Sequence, residues 1–379
     1  MKINFNKILF VLAYIFMLIP HIFNKVNLNS VFLYTIYLIS ICILIILFLY
    51  EILYKNRKIK ISILIFLIIV FILSIISSIC INNTIMLRTF LFICAFRNIK
   101  FDEFIKCDLI IRISSAVILF ILYNLDLTNP VNAFRGDAFR YSFGFHHPNK
   151  FGLCMMLICM EITYLYFKNP DKKNKWLVII FLSIISFIVS YFADSRASFI
   201  MMIFCIVLLI INKKFWIKII NLKFIKFFVK NLFLILTIVS FGLTILYKYD
   251  IPVINGINEL SSYRLYWGDK YLKNYNVNLF GNKLMLFEEE KIIDSKIYFT
   301  LDNNYVYFTL QCGIVFLIVM IFLFKKTLKK LYETNKYESI VFLVLYIVYG
   351  FMESTLLKFY YNPFLLLFNY TLFEDDDMF

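Results

Sequence analysis

The sequence lacks the loops that hold nucleotides and the spacings that hold metal ions. It has no Walker loop, no Rossmann glycine fingerprint, no C-x-x-C pair among its eight cysteines and no His/Cys pair at helical spacing. It also has no glycine-, serine- or proline-rich linker and no evident internal repeat, so we expect one domain over residues 1–379 with no cofactor and no metal. The alternation of a membrane β-barrel is missing too, which leaves helices as the elements that can span a bilayer.

What the chain has in abundance is apolar sequence. Hydrophobic residues make up 62% of it, its mean hydropathy is +0.82, and long apolar stretches recur, each able to cross a hydrocarbon core of about 30 Å. The net charge of +15 does not indicate a nucleic-acid partner, because most basic residues cluster in short loops between apolar stretches. The first stretch resembles a signal-peptide core, but no A-x-A-like site follows it, so we expect it to be retained.

The predicted fold is an all-α, polytopic protein of the plasma membrane. About twelve spans fit the sequence, namely 8–23, 30–54, 61–81, 83–97, 107–125, 148–167, 175–193, 197–212, 229–247, 303–324, 338–354 and 356–373. With the N-terminus inside, the inner segments hold 24 lysines and arginines and the short outer loops only six. The positive-inside rule therefore places both termini in the cytoplasm and one long extracytoplasmic loop, 248–301, between spans nine and ten.

Arginine does not follow the trend that lysine obeys. Five of the eight arginines lie in the predicted outer loops or the outer half of a span: Arg88, Arg135, Arg140, Arg196 and Arg264. The planar guanidinium can grip a phosphate or carboxylate with two parallel hydrogen bonds, which an ammonium cannot match. This bias predicts an anion-binding site on the outer face.

The segment 134–152, FRGDAFRYSFGFHHPNKFG, is the first candidate part of that site. It contains two of the three histidines. Pro148 suits the first turn of a helix, whose free amides would then bind anions together with nearby side chains. The candidates are Arg135, Arg140, His146, His147 and Asn149. The alternative is that this loop only anchors the protein at the lipid headgroups.

Two further segments add candidates. In the turn DSRAS, Arg196 stands at a helix start, where the dipole favours an acid, so either Asp194 or a bound anion neutralises it. In the long loop, SSYRLYWGDKYLKNY is typical of a short amphipathic helix, and Tyr263, Arg264 and Trp267 combine aromatic surface with hydrogen-bonding groups, as sugar-binding faces do. Anchoring of these aromatic residues at headgroup level is the alternative.

The remaining candidates lie in or near spans. Asp302 and Asn303 open the tenth span, where Asp302 either caps the helix or faces the arginines. Arg88 lies inside the fourth span, where a charge indicates function unless the side chain snorkels to the surface. Glu161 lies towards the inner end of the sixth span and is expected to be an interfacial residue.

Taken in order, these motifs resemble the Wzy-type polysaccharide repeat-unit polymerases, which share a superfamily with the O-antigen ligases. The resemblance covers Arg135 to Val315 and rests on R-x-x-x-x-R-Y-S-F-G-F-x-H-P-N-x-F-G, D-S-R-A-S, Y-R-L-Y-W with a later F-G, and D-N-N-Y-V-Y-F-T-L-Q-C-G-I. Ligases typically have His-Asn where this chain has Asp302-Asn303, which favours the polymerase branch.

The resemblance implies a membrane-embedded glycosyltransferase for capsule, exopolysaccharide or O-antigen. Its substrate would be oligosaccharide units on undecaprenyl diphosphate, with a flippase and a chain-length regulator as pathway partners. Arginines 135, 140, 196 and 264 would hold the diphosphate, Arg88 would lie nearer the lipid, and Asp302 or His147 would be the base for a metal-independent, inverting transfer. Two alternatives stay open, an O-antigen-type ligase with the same chemistry and a flippase or transporter. A transporter would concentrate paired charges inside the membrane, and often shows repeat symmetry.

Overall fold

The structure, a computed structural model, describes residues 5–26, 29–53, 61–81, 84–96, 99–129, 132–135, 138–169, 174–285, 287–289, 297–299 and 301–373. These residues are mostly helical. The helices of the first half are α1 (Phe5–Ile22), α2 (Ser30–Leu53), α3 (Ile61–Ile81), α4 (Ile85–Ala95), α5 (Phe101–Asn124), α6 (Pro148–Lys168), α7 (Lys175–Ile188) and α8 (Arg196–Ile210). A π-helical turn, Val189–Ala193, extends α7.

The second half continues in the same way. Its helices are α9 (Lys213–Ile220), α10 (Lys223–Lys230), α11 (Leu232–Leu246), α12 (Pro252–Leu260), α13 (Arg264–Asn274), α14 (Asn304–Cys312), α15 (Ile314–Glu333), α16 (Tyr337–Tyr349) and α17 (Leu367–Phe373). Two antiparallel hairpins join them, β1 (Ala133–Arg135) with β2 (Ala138–Arg140) and β3 (Phe287–Glu289) with β4 (Ile297–Phe299). The predicted helix in SSYRLYWGDKYLKNY is confirmed as α13.

Among the described residues, six helices are long and apolar enough to cross a membrane: Phe5–Ile22, Val31–Tyr50, Ile63–Ile81, Pro148–Lys168, Lys175–Ala193 and Leu232–Tyr249. A seventh is added if α8 and α9, which meet at 113°, count as one bent span. Leucine, isoleucine and phenylalanine side chains on many of these helices are exposed, as a lipid-facing surface requires. The chain is therefore a mostly helical, membrane-embedded protein, as the composition predicts.

Several predicted spans differ from the helices observed. Helix α5 begins at Phe101 and not at 107, and α16 ends at Tyr349 and not at 354. The segment 83–97 forms only the short helix α4. The segment 303–324 is divided at Gly313 into α14 and α15. The segment 356–373 becomes helical only at Pro363, with a 3-10 turn before α17. Apolar composition predicts burial in a membrane environment, but it does not show where tertiary contacts replace helical hydrogen bonds.

Two glycines explain the break between α14 and α15. Gly313 has φ +89 and Gly281, in the loop that crosses the break, has φ +93. A Cβ on Gly281 would lie 1.9 Å from the carbonyl oxygen of Gln311, and one on Gly313 would lie 2.2 Å from that of Leu279. The backbones touch, and amides freed by the break pair with the loop, as Ile314 does with Asn278 at 3.0 Å.

We therefore expect Gly281→Ala to destabilise the protein by about 2 kcal/mol or more, because the methyl group collides with backbone and the conformation disfavours a side chain. The measurement is the thermal unfolding midpoint of purified protein in detergent. Gly256→Ala is the matched control. No atom lies within 4 Å of its added Cβ, and alanine in the exposed helix α12 should be neutral or stabilising. Equal losses in both variants would contradict this account of the break.

The segment 350–362, between α16 and the final 3-10 turn, is non-helical yet mostly buried. Side chains from the surrounding helices satisfy its carbonyls: Arg112 donates to Tyr360 at 3.2 Å and Thr89 to Leu357 at 3.2 Å. Asn362 donates to Leu356 within the segment at 2.7 Å. Buried irregular backbone needs such partners, because an unpaired polar group of the main chain away from water costs free energy.

Candidate functional site

The polar loop between α5 and α6 is organised by the β1–β2 hairpin. Its strands pair Ala133 with Arg140. The chain then turns at Gly144, where φ is +84 and a Cβ would lie 2.9 Å from the carbonyl oxygen of Leu119 in α5. Glycine lets the loop close onto α5 and brings its arginines to the N-terminus of α6. We call this end of the helix bundle the His147 end.

Three of the predicted arginines converge on the turn before α8. Arg135 donates from Nη1 to the carbonyl oxygen of Asp194 at 2.9 Å and to its Oδ2 at 2.8 Å. The Nε of Arg196 lies 3.3 Å from Oδ1 of Asp194, and Arg140 donates from Nε to the carbonyl of Ala193 at 2.8 Å. Asp194, in the left-handed region with φ +40, is thus the shared partner of Arg135 and Arg196.

Arg140 connects this turn to α6. Its Nη2 donates to Oδ1 of Asn149 at 2.5 Å. Burial, reinforced by the neighbouring Arg135 guanidinium, lowers the pKa of Arg140 to about 10, while Asp194 and Glu353 act in the other direction. Arg140 therefore stays charged at neutral pH, and it orients Asn149 so that the amide nitrogen of that side chain points towards Glu353.

Glu353, at the start of the 350–362 segment, is the central carboxylate of the site. It is only 4% exposed. Its Oε1 lies 3.4 Å from Nδ2 of Asn149 and 3.5 Å from Nη2 of Arg264. Burial, helped by the charge of Asp302, raises the pKa of Glu353 to about 7, against the opposing effect of Lys150, Arg264 and Lys358. A carboxyl group with this pKa can accept a proton at neutral pH.

Arg264 reaches Glu353 from the first turn of α13. The helix start is capped by Asn258, whose Oδ1 accepts the amides of Leu265 and Tyr266, both at 3.1 Å. Arg264 therefore does not serve as a cap. Its Nη1 donates to the carbonyl of Ser261 at 3.0 Å, and its Nε is buried without a hydrogen-bond partner among the described residues. The Nε–H of Arg264 is thus a donor that no described residue uses.

The two aromatic candidates of this loop differ in exposure. Tyr263 precedes α13 with φ +62 and is 57% exposed, so its ring is accessible. Trp267 is only 6% exposed and lies under the ammonium group of Lys270, which is 4.7 Å from its ring centroid. Tyr263 can stack on a sugar ring, whereas Trp267 packs within the protein.

The two candidates at the start of α14 have separate roles. Asn303, not Asp302, is the N-cap, because its Oδ1 accepts the amides of Tyr305 at 3.1 Å and Val306 at 3.4 Å. The charge of Asp302 acts on Glu353 and on Lys358. The capping alternative for Asp302 is therefore not what the structure shows.

The two histidines of the polar loop, His146 and His147, have different roles in the structure. His147 caps α6, since its Nδ1 accepts the amide of Asn149 at 3.1 Å. Burial, together with Arg140 and Lys150, lowers its pKa to about 3, so the ring is neutral. Burial likewise lowers the pKa of His146, which lines a cavity behind the loop together with Lys150.

Arg88 lies apart from the other arginines, in α4. Its guanidinium lies over the ring of Tyr37, 4.5 Å from the centroid, and its Nε donates to the carbonyl of Thr84 at 3.2 Å. It is 7% exposed, and its Nη1 has no hydrogen-bond partner among the described residues. Arg88 is thus held inside the protein, and its Nη1 is a hydrogen-bond donor that no described residue uses.

The sequence analysis did not identify two charged residues of the 350–362 segment, Glu353 and Lys358, and it placed Glu161 wrongly. Glu353 and Lys358 lie in a segment predicted to be two ordinary spans, and isolated charges in such apolar sequence are the signal that could have found them. Glu161 was expected at the interface but is 0% exposed, with Oε1 3.3 Å from Nε of Arg112. That expectation is wrong, because Glu161 faces the bundle interior.

Comparison of the chain with protein-family models, with curated proteins and with solved structures finds no match.

Proposed function

We propose that the chain is a Wzy-type polymerase, joining oligosaccharide repeat units linked to undecaprenyl diphosphate at the outer leaflet of the plasma membrane. The observation that supports this most is the chain of contacts Arg140–Asn149–Glu353–Arg264, which combines strong anion-binding groups with a carboxyl group able to take a proton at neutral pH. Such a transfer needs both, because a diphosphate leaves while a hydroxyl loses its proton.

The proposal includes twelve membrane passages with both termini in the cytoplasm. The six long apolar helices are joined by six passages that are shorter, broken or, in the case of the 24-residue α5, richer in charged residues: α4, α5, α8, the α14–α15 pair, α16 and the segment 356–373. Lys213 at the start of α9 donates to the carbonyl of Phe167 at 3.0 Å, so the lysine-rich helices α9 and α10 begin at the end of α6 opposite to His147. By the positive-inside rule, the His147 end then faces outwards.

In the proposed reaction Glu353 is the base. A hydroxyl oxygen of the acceptor sugar attacks the anomeric carbon of the donor while its proton passes to Glu353. The bond between that carbon and the diphosphate oxygen breaks, the electron pair leaves on the lipid diphosphate, and the anomeric carbon is inverted. Arg264, Arg140 and the pair Arg135 and Arg196 stabilise the charge that develops on the diphosphate.

Arg264→Lys and Arg196→Ala should each abolish polymer and leave single-unit lipid intermediates. Lysine cannot reproduce the two-pronged grip of Arg264, and removal of Arg196 takes a cation from the turn that Arg135 shares. Polymer length on gels and lipid-linked intermediates by mass spectrometry measure both effects in cells that express the variants at equal levels. Unchanged chain length in both variants would refute the assignment.

Two other functions are separated by deleting the gene and analysing the lipid intermediates. Accumulated single units indicate a polymerase, finished polymer still on its carrier indicates a ligase, and units on the cytoplasmic side indicate a flippase. The transporter is the second candidate because one observation favours it. Arg112, Asp108 and Glu161 are paired charges inside the bundle, as expected along the path of a transported substrate or coupling ion.

A further inference from the structure

A polar cluster lies inside the helix bundle, away from the site around Glu353. It joins Tyr14 of α1, Asp108 and Arg112 of α5, and Glu161 of α6, each no more than 2% exposed. Arg112 donates from Nη2 to Oδ2 of Asp108 at 3.0 Å and to the hydroxyl oxygen of Tyr14 at 2.9 Å. Tyr14 in turn donates to Oδ1 of Asp108 at 2.7 Å.

The cluster has one carboxylate more than it has cations. Asp108 and Glu161 face a single guanidinium, so two ionised carboxylates would leave a net negative charge in the bundle interior. Isolated buried charge costs several kcal/mol per ion, and two carboxyl groups that share a site do not both ionise readily. The cluster therefore reaches neutrality by binding one proton.

The hydrogen bonds show which carboxyl group takes that proton. Both oxygens of Asp108 accept hydrogen bonds, which is the pattern of an ionised acid. Neither oxygen of Glu161 has full hydrogen-bond geometry with a described residue, although both are buried close to Asp108 and Arg112. Oε1 of Glu161 lies 3.3 Å from Nε of Arg112, at ion-pair distance. Glu161 is thus the member left to hold the proton.

Among the described residues, the other titratable groups that interact with the cluster supply no second cation. Cys154 on the same helix as Glu161 and Tyr346 on α16 are the further titratable groups that interact with Arg112, and both residue types are ordinarily neutral at pH 7. The 350–362 segment contributes the carbonyl of Tyr360, which accepts from Arg112 at 3.2 Å. Lys150 and Arg112 both line one cavity.

That cavity connects the cluster to the His147 end. It is small, about 20 Å³, which is room for about one water molecule. Its lining includes Arg112 and Cys154 at the cluster, and His21, His146, Lys150 and Tyr361 towards the polar loop. The buried Nε2 of His21 has no hydrogen-bond partner among the described residues. Polar side chains of the loop and of the cluster therefore border the same small cavity, which has room for the water that could carry a proton between them.

We propose that Glu161, together with Asp108 and Arg112, forms a proton-binding site in the bundle interior, reached from the candidate site through this cavity. The site does not depend on the proposed polymerase activity, because it rests on buried charges outside the contacts of Glu353. An interior carboxyl group that exchanges a proton with one side of a membrane is the arrangement that couples proton movement to other steps in membrane proteins.

The test is modification by dicyclohexylcarbodiimide, an apolar reagent that attacks protonated carboxyl groups, on the purified full-length protein at pH 7. We expect Glu161 to be labelled at least about 10-fold more than Glu259, because the apolar reagent enters the bundle interior and reacts there with the protonated acid, whereas Glu259 is exposed to water. Peptide mass spectrometry measures both. Label on Glu161 no greater than on Glu259 would overturn the proposal. So would protection of Glu161 by Na⁺ at constant pH and ionic strength, which would assign the site to an alkali cation.

A second measurement does not depend on access of the reagent. Glu161→Gln mimics the protonated acid, so it should leave the unfolding midpoint in detergent nearly unchanged, whereas Asp108→Asn removes the ionised partner of Arg112 and should lower it clearly. The reverse order would show that Glu161 is the ionised member and would overturn the assignment.

Discussion

Glu353→Gln should lower polymer formation about 100-fold or more while the protein remains folded. The amide keeps the size of the side chain and can still contact Arg264 and Asn149, but it cannot accept the proton of an attacking hydroxyl, and loss of a general base typically costs 10²- to 10⁴-fold. Transfer between purified lipid-linked units in proteoliposomes measures the effect. Glu338→Gln is the matched control, since Glu338 begins α16 and pairs with Lys213 at the opposite end of the protein.

The pH dependence of the same reaction provides an independent check. A base must be ionised to act, so the rate should rise with pH through about 7, the pKa of Glu353. The contribution of Glu353 to the stability of the folded protein should change with pH in the opposite direction to the rate. Because burial raises this pKa, the folded state binds a proton that the unfolded chain has lost, and the contribution to stability falls as pH rises from the usual glutamate range to about 7.

The variant Asp302→Asn tests which of the two acids, Glu353 or Asp302, is the base. The charge of Asp302 raises the pKa of Glu353, so its removal should shift the rising limb of the pH profile to lower pH and leave the maximal rate largely intact. If Asp302 were the base instead, Asp302→Asn would abolish activity and Glu353→Gln would retain it. That outcome would restore Asp302, one of the two bases, Asp302 or His147, between which the sequence analysis left the choice open.

Much of the architecture could be predicted from the sequence because apolar length and the absence of barrel alternation determine it. The helices from α1 to α3 and from α6 to α8 begin and end within a few residues of the predicted spans. The failures lie where backbone contacts between distant segments decide the structure. Neither the break at Gly313 nor the non-helical 350–362 segment has a local signal, since the first needs Gly281 beside it and the second needs donors from Arg112 and Thr89.

The candidate site shows the same division. The bias of arginine towards one face predicted a set of guanidiniums, and the structure places Arg135, Arg196 and Arg140 at the turn around Asp194. What composition cannot give is pairing across the fold. Arg264 is 89 positions from Glu353 in the sequence, so no spacing rule joins them, and Asn303 rather than its neighbour caps α14 because of the local backbone conformation.

Arg112→Met should be the most destabilising single substitution of a charged residue in the bundle interior, by about 3–5 kcal/mol, because it leaves Asp108 buried without its cation. The unfolding midpoint in detergent measures the loss. Arg88→Met is the matched control. Arg88 is also buried in a helix, but its recorded contacts are the carbonyl of Thr84 and the ring of Tyr37, so its removal leaves no carboxylate behind.

The cost of Arg112→Met should be largely recovered when Asp108→Asn and Glu161→Gln are added, because the three changes together leave no charge in the cluster. Replacing a whole buried ion network with neutral groups is often close to neutral in stability, whereas removing one partner is not. If the triple variant were as unstable as Arg112→Met alone, the loss would come from packing of the long Arg112 side chain. If the triple variant recovers stability but the pH dependence of its transfer rate is altered, the cluster is retained for the proton it binds and not for the fold.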